Sequence, residues 1–273
     1  MIRVFPRMTK WTPVDELAFV GDPPLEILRP PEQPVYVSIA FERDIPEGER
    51  LQRGWSEYYS DVRIGGPALG DPGGDFVPGR FIKKGVTITS RGCPRECPWC
   101  FVPRREGKLR ELPIQPGWII QDNNLLACSR SHFERVIEML QQQRRRVSFT
   151  GGLDARYLAE WHIDALKTIN VREMWFACDT LGHLPALEHA ISQLQAWPAY
   201  KRRCYVMVGY GDETIVEAEY RLKRVYELGF LPFAQLYKGP GQQVYDRRWL
   251  ALNKKWSRPA LYRTQKGFES RTV

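Results

Sequence analysis

The chain lacks any long apolar segment. None of its apolar runs approaches the roughly 20 residues that span a bilayer. Its first residues, MIRVFPRMTKWTPVDE, lack the apolar core of a secretory signal peptide. The sequence therefore argues against a spanning helix, and we expect a cytoplasmic protein with no membrane partner.

Cysteine and histidine are both scarce. Six cysteines and four histidines in 273 residues are too few for a disulfide scaffold, and no histidine precedes residue 132. Three of the cysteines crowd into eight residues, and the other three stand apart. The crowded set is Cys93, Cys97 and Cys100, and the separate set is Cys128, Cys178 and Cys204. This distribution favours metal or redox chemistry.

Acidic residues are fewer than basic ones, 32 against 40, for a formal net charge of +8. A positive balance favours a polyanionic partner such as nucleic acid. The basic residues are scattered, however, and short runs such as 141–146 (QQQRRR) are usually solvated faces. A nucleic-acid partner is therefore possible on charge grounds, and a plain solvated surface is the alternative.

The segment 1–80 is a predicted N-terminal extension. Prolines crowd the stretch 1–34 and predict extended, wrapping structure without regular elements. The segments 35–41, 49–59 and 61–64 are typical of a strand, a helix and a strand. They predict a small βαβ unit, which ends at the Gly- and Pro-rich segment 65–79.

From residue 81 the sequence alternates between strands and helices. Its near-continuous apolar runs are typical of a parallel sheet buried on both faces. The predicted strands are 85–89, 117–120, 146–150, 173–177, 204–208 and 231–237. Between them lie helical patterns, one beginning with a predicted capping box from Ser131 to Glu134. We predict an α/β fold, a partial (βα)6 parallel barrel over 81–240, followed by a basic tail, 241–273.

The crowded cysteines directly follow the first of these strands, in TSRGCPRECPWCF (89–101). Iron–sulfur clusters are normally held by four cysteines, so three ligands leave one iron open to another donor. Zinc with a fourth ligand elsewhere, or a buried thiol cluster, are the alternatives. The C-x3-C-x2-C spacing, with an aromatic residue before the third cysteine, resembles the motif of the radical S-adenosylmethionine superfamily.

The resemblance implies a [4Fe–4S] cluster on Cys93, Cys97 and Cys100, with S-adenosylmethionine chelating the open iron. It implies reductive cleavage of the cofactor to methionine and a 5′-deoxyadenosyl radical, which abstracts a substrate hydrogen. The electron would come from a donor such as flavodoxin or ferredoxin. The N-terminal βαβ piece resembles a shortened form of the cobalamin-binding domain of one branch. Because it lacks a D-x-H-x-x-G segment, we do not expect cobalamin.

The resemblance also implies cofactor contacts at the ends of the early strands. Trp99 matches a position beside the adenine, or it forms an apolar plug over the cluster. Asp122 and Asn123, with Asn124, offer acceptors for the amino end of the cofactor, or they form a plain turn. The pair Gly151 and Gly152 permits close approach of the backbone to a ligand.

Later strand ends supply the remaining candidates. Arg156 is expected to hold the cofactor carboxylate, with Asp154 nearby, or to lie exposed beside a helix-starting Asp154. Asp179 is expected to bind the ribose hydroxyls, or else to cap the next helix. Val208 and Gly209 are expected to bracket the adenine.

The sequence leaves the reaction that follows hydrogen abstraction open. Cys128 and Cys178 end predicted strands and are candidates for a hydrogen donor, a methyl carrier or an extra ligand, or are simply buried. A nucleotide or nucleic acid is one substrate class, and a peptide or small metabolite is another. A non-catalytic protein that binds an iron–sulfur cluster or zinc is the third interpretation.

Overall fold

The computed structural model describes residues 1–71, 75–239 and 244–262, and these form an α/β structure with two parallel sheets and one short antiparallel strand pair. The strands are β1 (Ile2–Phe5), β2 (Ala18–Val20), β3 (Val35–Ser38), β4 (Val62–Gly65), β5 (Val86–Thr87), β6 (Ser90–Arg91), β7 (Arg110–Glu111), β8 (Ile119–Ile120), β9 (Val147–Leu153), β10 (Val171–Ala177), β11 (Arg202–Val208) and β12 (Leu231–Leu236).

The helices are mostly connections between strands. They are α1 (Ile45–Ser56), α2 (Val102–Arg105), α3 (Arg130–Gln142), α4 (Glu160–Lys167), α5 (Leu184–Gln193), α6 (Ile215–Glu227), α7 (Arg247–Trp256) and α8 (Pro259–Tyr262). Single 3-10 turns lie at Glu26–Leu28, Glu42–Asp44, Pro67–Leu69, Leu125–Ala127, Ala155–Tyr157, Leu181–His183 and Ala199–Lys201. In the described part of the chain, no helix is long and apolar enough to cross a membrane.

The N-terminal sheet has the strand order β2-β1-β3-β4, and all its pairs are parallel. The predicted βαβ unit is present as β3, α1 and β4. The expectation that the stretch 1–34 forms no regular elements was wrong, because it contributes β1 and β2. The prolines fall between these strands, and the IRVF run of β1 pairs with a neighbour on each side.

The larger sheet has the order β12-β11-β10-β9-β8-β5, with every pair parallel. All six predicted strands are present at their predicted places. Successive strands lie side by side in chain order, so right-handed crossovers carry all the helices to one face. That face supplies the core, in which Phe176, Cys204 and Val206 are completely buried.

The opposite face of the larger sheet has little cover. Along β10, β11 and β12 its side chains alternate with those of the core and are mostly half-buried, whereas Val86 on β5 and Ser148 on β9 are buried. We call it the uncovered face, and its residues include Glu173, Trp175, Arg203, Tyr205 and Phe233. The prediction of a sheet buried on both faces was therefore wrong for β10 to β12, because helices that all cross in one direction cover one side only, and it holds for β5 and the first half of β9.

Two further predictions need correction. The cap of α3 is Ser129, whose hydroxyl accepts the His132 N–H at 3.2 Å, so the helix begins before the predicted Ser131. The described part of the predicted basic tail forms α7 and α8. Trp256 and Tyr262 are buried in the larger core, and the Tyr262 hydroxyl donates to the Pro232 carbonyl at 3.1 Å.

Candidate cofactor site at the carboxyl edge of the larger sheet

The three clustered cysteines lie on a loop closed by the antiparallel pair of β6 and β7. The Cys93 N–H donates to the Gly107 carbonyl at 3.3 Å, which ties the start of the loop to its end. Gly92 has φ +78°, and a Cβ there would lie 2.2 Å from the Lys108 carbonyl oxygen. Only glycine fits this contact, so the sequence Gly92-Cys93 is part of how the loop closes. We call residues 92–109 the cysteine loop.

All three thiols of the cysteine loop are half-buried, and none forms a disulfide. Burial raises the pKa of the Cys97 thiol, while the nearby Arg156 charge and its hydrogen bond oppose this shift. Burial also raises the pKa of Cys100, and the fields of Cys97 and Cys93 act in the same direction. Both shifts favour the protonated thiol, so a bound metal centre would be needed to hold Cys97 and Cys100 as thiolates.

In the ranges 1–71, 75–239 and 244–262, no group of three or more His, Cys, Asp or Glu side chains could hold a metal ion. The cysteine loop is therefore not arranged as a finished site for a single ion. A polynuclear cluster spaces its cysteine ligands more widely than one ion does. The donor set of the cysteine loop, three thiols, has the composition of an iron–sulfur site with one open position.

Beside Cys93 lies a buried amide with unmet bonding capacity. Asn124 is 2% exposed, and its Nδ2 group lies 3.7 Å from the Cys93 Sγ. Its Oδ1 atom is buried without a hydrogen-bond partner among the described residues. A buried acceptor without a donor is costly, so this oxygen is available to accept a bond from a bound group or an ordered water.

The neighbouring Asp122 has a different role from the one expected. It is 1% exposed, and its carboxylate accepts the Thr89 N–H at 2.7 Å and the hydroxyls of Thr89 and Ser90 at 2.6 and 2.7 Å. Burial raises its pKa to about 6 despite these bonds. Asp122 therefore joins the end of β8 to the segment that leads into the cysteine loop, and is closed to a ligand. Asn123 is half-buried.

Trp99 connects the cysteine loop to the ends of β10 and β11. Its Nε1 donates to Asp179 Oδ2 at 3.3 Å, and its ring meets Tyr210 edge-on at 5.6 Å. Asp179 Oδ1 accepts the Met207 N–H at 3.3 Å. The carboxylate thus caps no helix, and burial raises its pKa. His183 completes this group: its Nδ1 accepts the Asp179 N–H at 3.2 Å, and burial lowers its pKa to about 4.

Arg156 and Asp154 follow β9 and form a bidentate ion pair, with N–O distances of 2.7 and 2.6 Å. Asp154 also accepts the Arg156 N–H at 3.1 Å and so starts a 3-10 turn, as the helix-start alternative expects. The guanidinium nevertheless lies close enough to Cys97 to influence its thiol. Arg156 therefore brings a positive charge to the cysteine loop while it is held by Asp154.

The glycine and valine candidates are largely enclosed by protein. A Cβ at Gly151 would lie 2.0 Å from the Asp122 carbonyl oxygen, so this glycine allows β9 to approach β8. Gly152 has open space beside it. Val208 is completely buried, and a Cβ at Gly209 would lie 2.7 Å from the Tyr245 ring. The Gly209 backbone is also bonded, its N–H to Glu213 at 2.8 Å and its carbonyl to the Tyr245 hydroxyl at 3.1 Å. The adenine contact of Val208 and Gly209 stays a prediction.

The separate cysteines are all buried. Burial raises the pKa of Cys128 and of Cys178 to about 12, and that of Cys204 well above its ordinary value. The Cys178 thiol donates to the Thr180 carbonyl at 3.6 Å. The structure gives these three thiols the character of protonated core side chains.

Sequence reasoning missed the aromatic residues of the uncovered face. Trp175 and Tyr205 stack with their ring centroids 4.3 Å apart, and Phe233 meets Trp175 edge-on at 5.7 Å. Arg203 lies over the Trp175 ring and pairs with Glu173 at 3.1 Å. The sequence signal that could have revealed them is the alternation of these residues with apolar core residues along β10 and β11.

Comparison with known proteins leaves the chain without an assigned family. No protein-family model matches it, and no curated protein shows significant sequence similarity to it.

Proposed function

We propose that this protein is a radical S-adenosylmethionine enzyme that holds a [4Fe–4S] cluster on Cys93, Cys97 and Cys100. One observation carries the proposal: three free thiols share a closed loop at the carboxyl edge of a parallel sheet, beside the unpartnered Asn124 amide oxygen. Ligands in parallel α/β sheets bind at this edge. A three-cysteine loop with an unmet acceptor is suited to a cluster whose fourth position takes an amino-acid-like group.

The strand order supports the partial (βα)6 barrel that the proposal requires. Six parallel strands in chain order, with all the helices on one face, form the arrangement from which a partial (βα)6 barrel is built. The uncovered face would then be the interior of that barrel. Its half-buried aromatic side chains would line the substrate space rather than a second helical layer.

The protein's own groups would position the cofactor and exclude water. Cys93, Cys97 and Cys100 would hold the cluster, and Arg156 would stabilise the negative charge that three thiolates bring. Trp99, fixed by its bond to Asp179, would cover the cluster on the side of β10. When bound, the cluster and S-adenosylmethionine supply a 5′-deoxyadenosyl radical that abstracts a substrate hydrogen, with the electron drawn from a donor such as flavodoxin or ferredoxin.

A nucleotide or nucleic acid is the substrate class that the uncovered face favours. Stacked aromatic rings with an arginine beside them suit a planar base, and the net charge of +8 suits phosphates. A peptide or small metabolite does not in general combine a planar base with phosphates, so these features favour it less.

Anaerobic reconstitution with iron and sulfide tests the metal site. We expect about four irons and four sulfides per chain and the broad visible absorbance of an iron–sulfur cluster. Cys97→Ala should lose this absorbance. Cys128→Ala, which removes a buried thiol outside the cysteine loop, should keep it. If the wild type takes up only zinc, or if both variants bind iron equally, the proposal fails and the non-catalytic interpretation stands.

A further inference from the structure

A cavity of about 850 Å³ is lined almost entirely by residues 1–82, with Arg91, which precedes the cysteine loop, as a further lining residue. One of its walls is the face of the N-terminal sheet opposite α1. The other is the segment 75–82, which Arg3 anchors by donating to the carbonyls of Gly79 and Arg80 at 2.9 and 3.0 Å. The described connection from β1 to β2 contains no helix. A loop therefore takes the place of a packed helix on this face of the N-terminal sheet, and the cavity lies between the loop and the sheet.

The cavity reaches the position where parallel sheets bind ligands. In the order β2-β1-β3-β4, the chain leaves β1 toward one edge and leaves β3 toward the other. The carboxyl ends of β1 and β3 therefore form a topological switch point, where a crevice opens. The residues that end or follow these strands, Phe5 to Arg7 together with Ser38, Ala40 and Phe41, line the cavity at this end.

The lining is aromatic with a few polar groups. Tyr36 and Phe81 form a ring pair with centroids 5.4 Å apart, and Trp11, Phe41 and Phe76 add further rings. The hydroxyls of Tyr36 and Ser38 have no hydrogen-bond partner within the described ranges, so both can orient a ligand. A cavity of this volume with aromatic walls and a few free hydroxyls is typical of a small-molecule site.

Three of the four arginines that line the cavity are already paired, and Lys10 and Lys83 lie over the Trp11 ring, with Nζ 4.4 and 5.1 Å from its centroid. Arg7 pairs with Asp44, Arg63 pairs with Asp61 at 2.8 Å, and Arg91 pairs with Glu106 at 3.4 Å. Asp71 and Asp75 add further carboxylates to the lining, and Arg80 is the remaining arginine. A phosphate would have to compete with these carboxylates for the arginines, so the paired arginines favour an uncharged ligand over an anionic one.

We propose that this cavity binds an uncharged small molecule with a planar aromatic ring system and hydroxyl groups, of the size of a nucleoside or riboflavin. The rings of Tyr36, Phe81 and Trp11 would pack against the ligand rings. The hydroxyls of Tyr36 and Ser38 would bond to its polar edge. The inference is independent of the proposed radical chemistry, because none of the cysteines and none of the candidate cofactor contacts lines the cavity.

Saturation-transfer NMR on the full chain without added metal tests it with two matched pairs of probes, riboflavin with FMN and adenosine with AMP. We expect riboflavin or adenosine to bind with a Kd below about 1 mM, and its phosphorylated partner to bind at least about tenfold more weakly. The members of a pair differ only in the phosphate, so the comparison isolates charge. Failure of both uncharged probes to bind, or equal or tighter binding of their phosphates, would overturn the proposal.

Two substitutions in the lining test whether the probes bind in this cavity. Ala40→Trp places an indole in the cavity mouth, and Phe81→Ala removes half of the ring pair. Each should weaken binding by about tenfold or more. Tyr200→Ala is the matched control, because Tyr200 is 61% exposed and outside the cavity. Circular dichroism identifies variants that remain folded. Folded Ala40→Trp and Phe81→Ala proteins that bind as the wild type does would refute this location.

Discussion

Gly92→Ala tests how the cysteine loop is closed. Gly92 and Gly107 both have positive φ, +78° and +75°, and lie near opposite ends of the loop. A Cβ at Gly92 would lie 2.2 Å from a backbone oxygen, whereas a Cβ at Gly107 would meet nothing within 4 Å. Gly107→Ala is therefore a matched control that carries the backbone strain without the collision.

The expected magnitudes follow from these contacts. Forcing alanine into this conformation costs about 1 kcal/mol, and both variants should show that loss. In Gly92→Ala the loop must also move away from Lys108. That movement breaks the bond from the Cys93 N–H to the Gly107 carbonyl, a loss of about 1 kcal/mol. We expect Gly92→Ala to be destabilised by about 2 to 4 kcal/mol in total, with the three thiols displaced.

Urea unfolding of the metal-free protein and iron content after reconstitution measure both effects. Gly107→Ala should lose about 1 kcal/mol and still take up iron, and Gly92→Ala should lose more stability and most of its iron. Equal stability and equal iron content in the two variants would refute the role given to the Gly92 contact.

Three further predictions concern stability alone. Burial lowers the pKa of His162 to about 4, so its contribution is present above about pH 6.5 and is lost as pH falls toward 4. The free energy of unfolding should drop by about 2 to 3 kcal/mol between pH 7 and 4.5 from this residue, and an equal drop in His162→Gln would contradict the assignment. Asp122→Ala leaves buried donors unpaired and should lower the free energy of unfolding by about 2 to 4 kcal/mol. Asn123→Ala should lower it by about 0.5 kcal/mol or less. Similar urea midpoints for the two variants would contradict the role of the buried hydrogen-bond network. Ser129→Ala should cost about 1 kcal/mol and Ser131→Ala less than about 0.5, and the reverse order in thermal melts would restore the cap predicted from the sequence.

The sequence predicted the strands of the larger sheet well, because each is a short apolar run bounded by polar or turn residues. The cysteine loop was equally predictable, since the spacing of its cysteines and their position after β5 are visible in the sequence. Both features depend on residues close together in sequence.

Features that depend on distant partners were not predictable in this way. Asp122 looked like a free acceptor, but its donors, Thr89 and Ser90, lie far earlier in the chain. Gly209 looked open until Tyr245, much later in the sequence, was seen to cover it. The uncovered face depends on the direction of the crossovers, which a hydrophobic pattern does not contain. The strands β1 and β2 were missed because proline density was given more weight than strand pairing.

The central claim is that the cysteine loop supports radical cleavage of S-adenosylmethionine. Its most direct test is release of 5′-deoxyadenosine from the anaerobically reconstituted protein with dithionite and S-adenosylmethionine, followed by liquid chromatography. We expect the wild type to release 5′-deoxyadenosine and Cys97→Ala to release none. A wild-type protein that carries its full iron content and yields no 5′-deoxyadenosine, or yields no more than Cys97→Ala does, would contradict the claim.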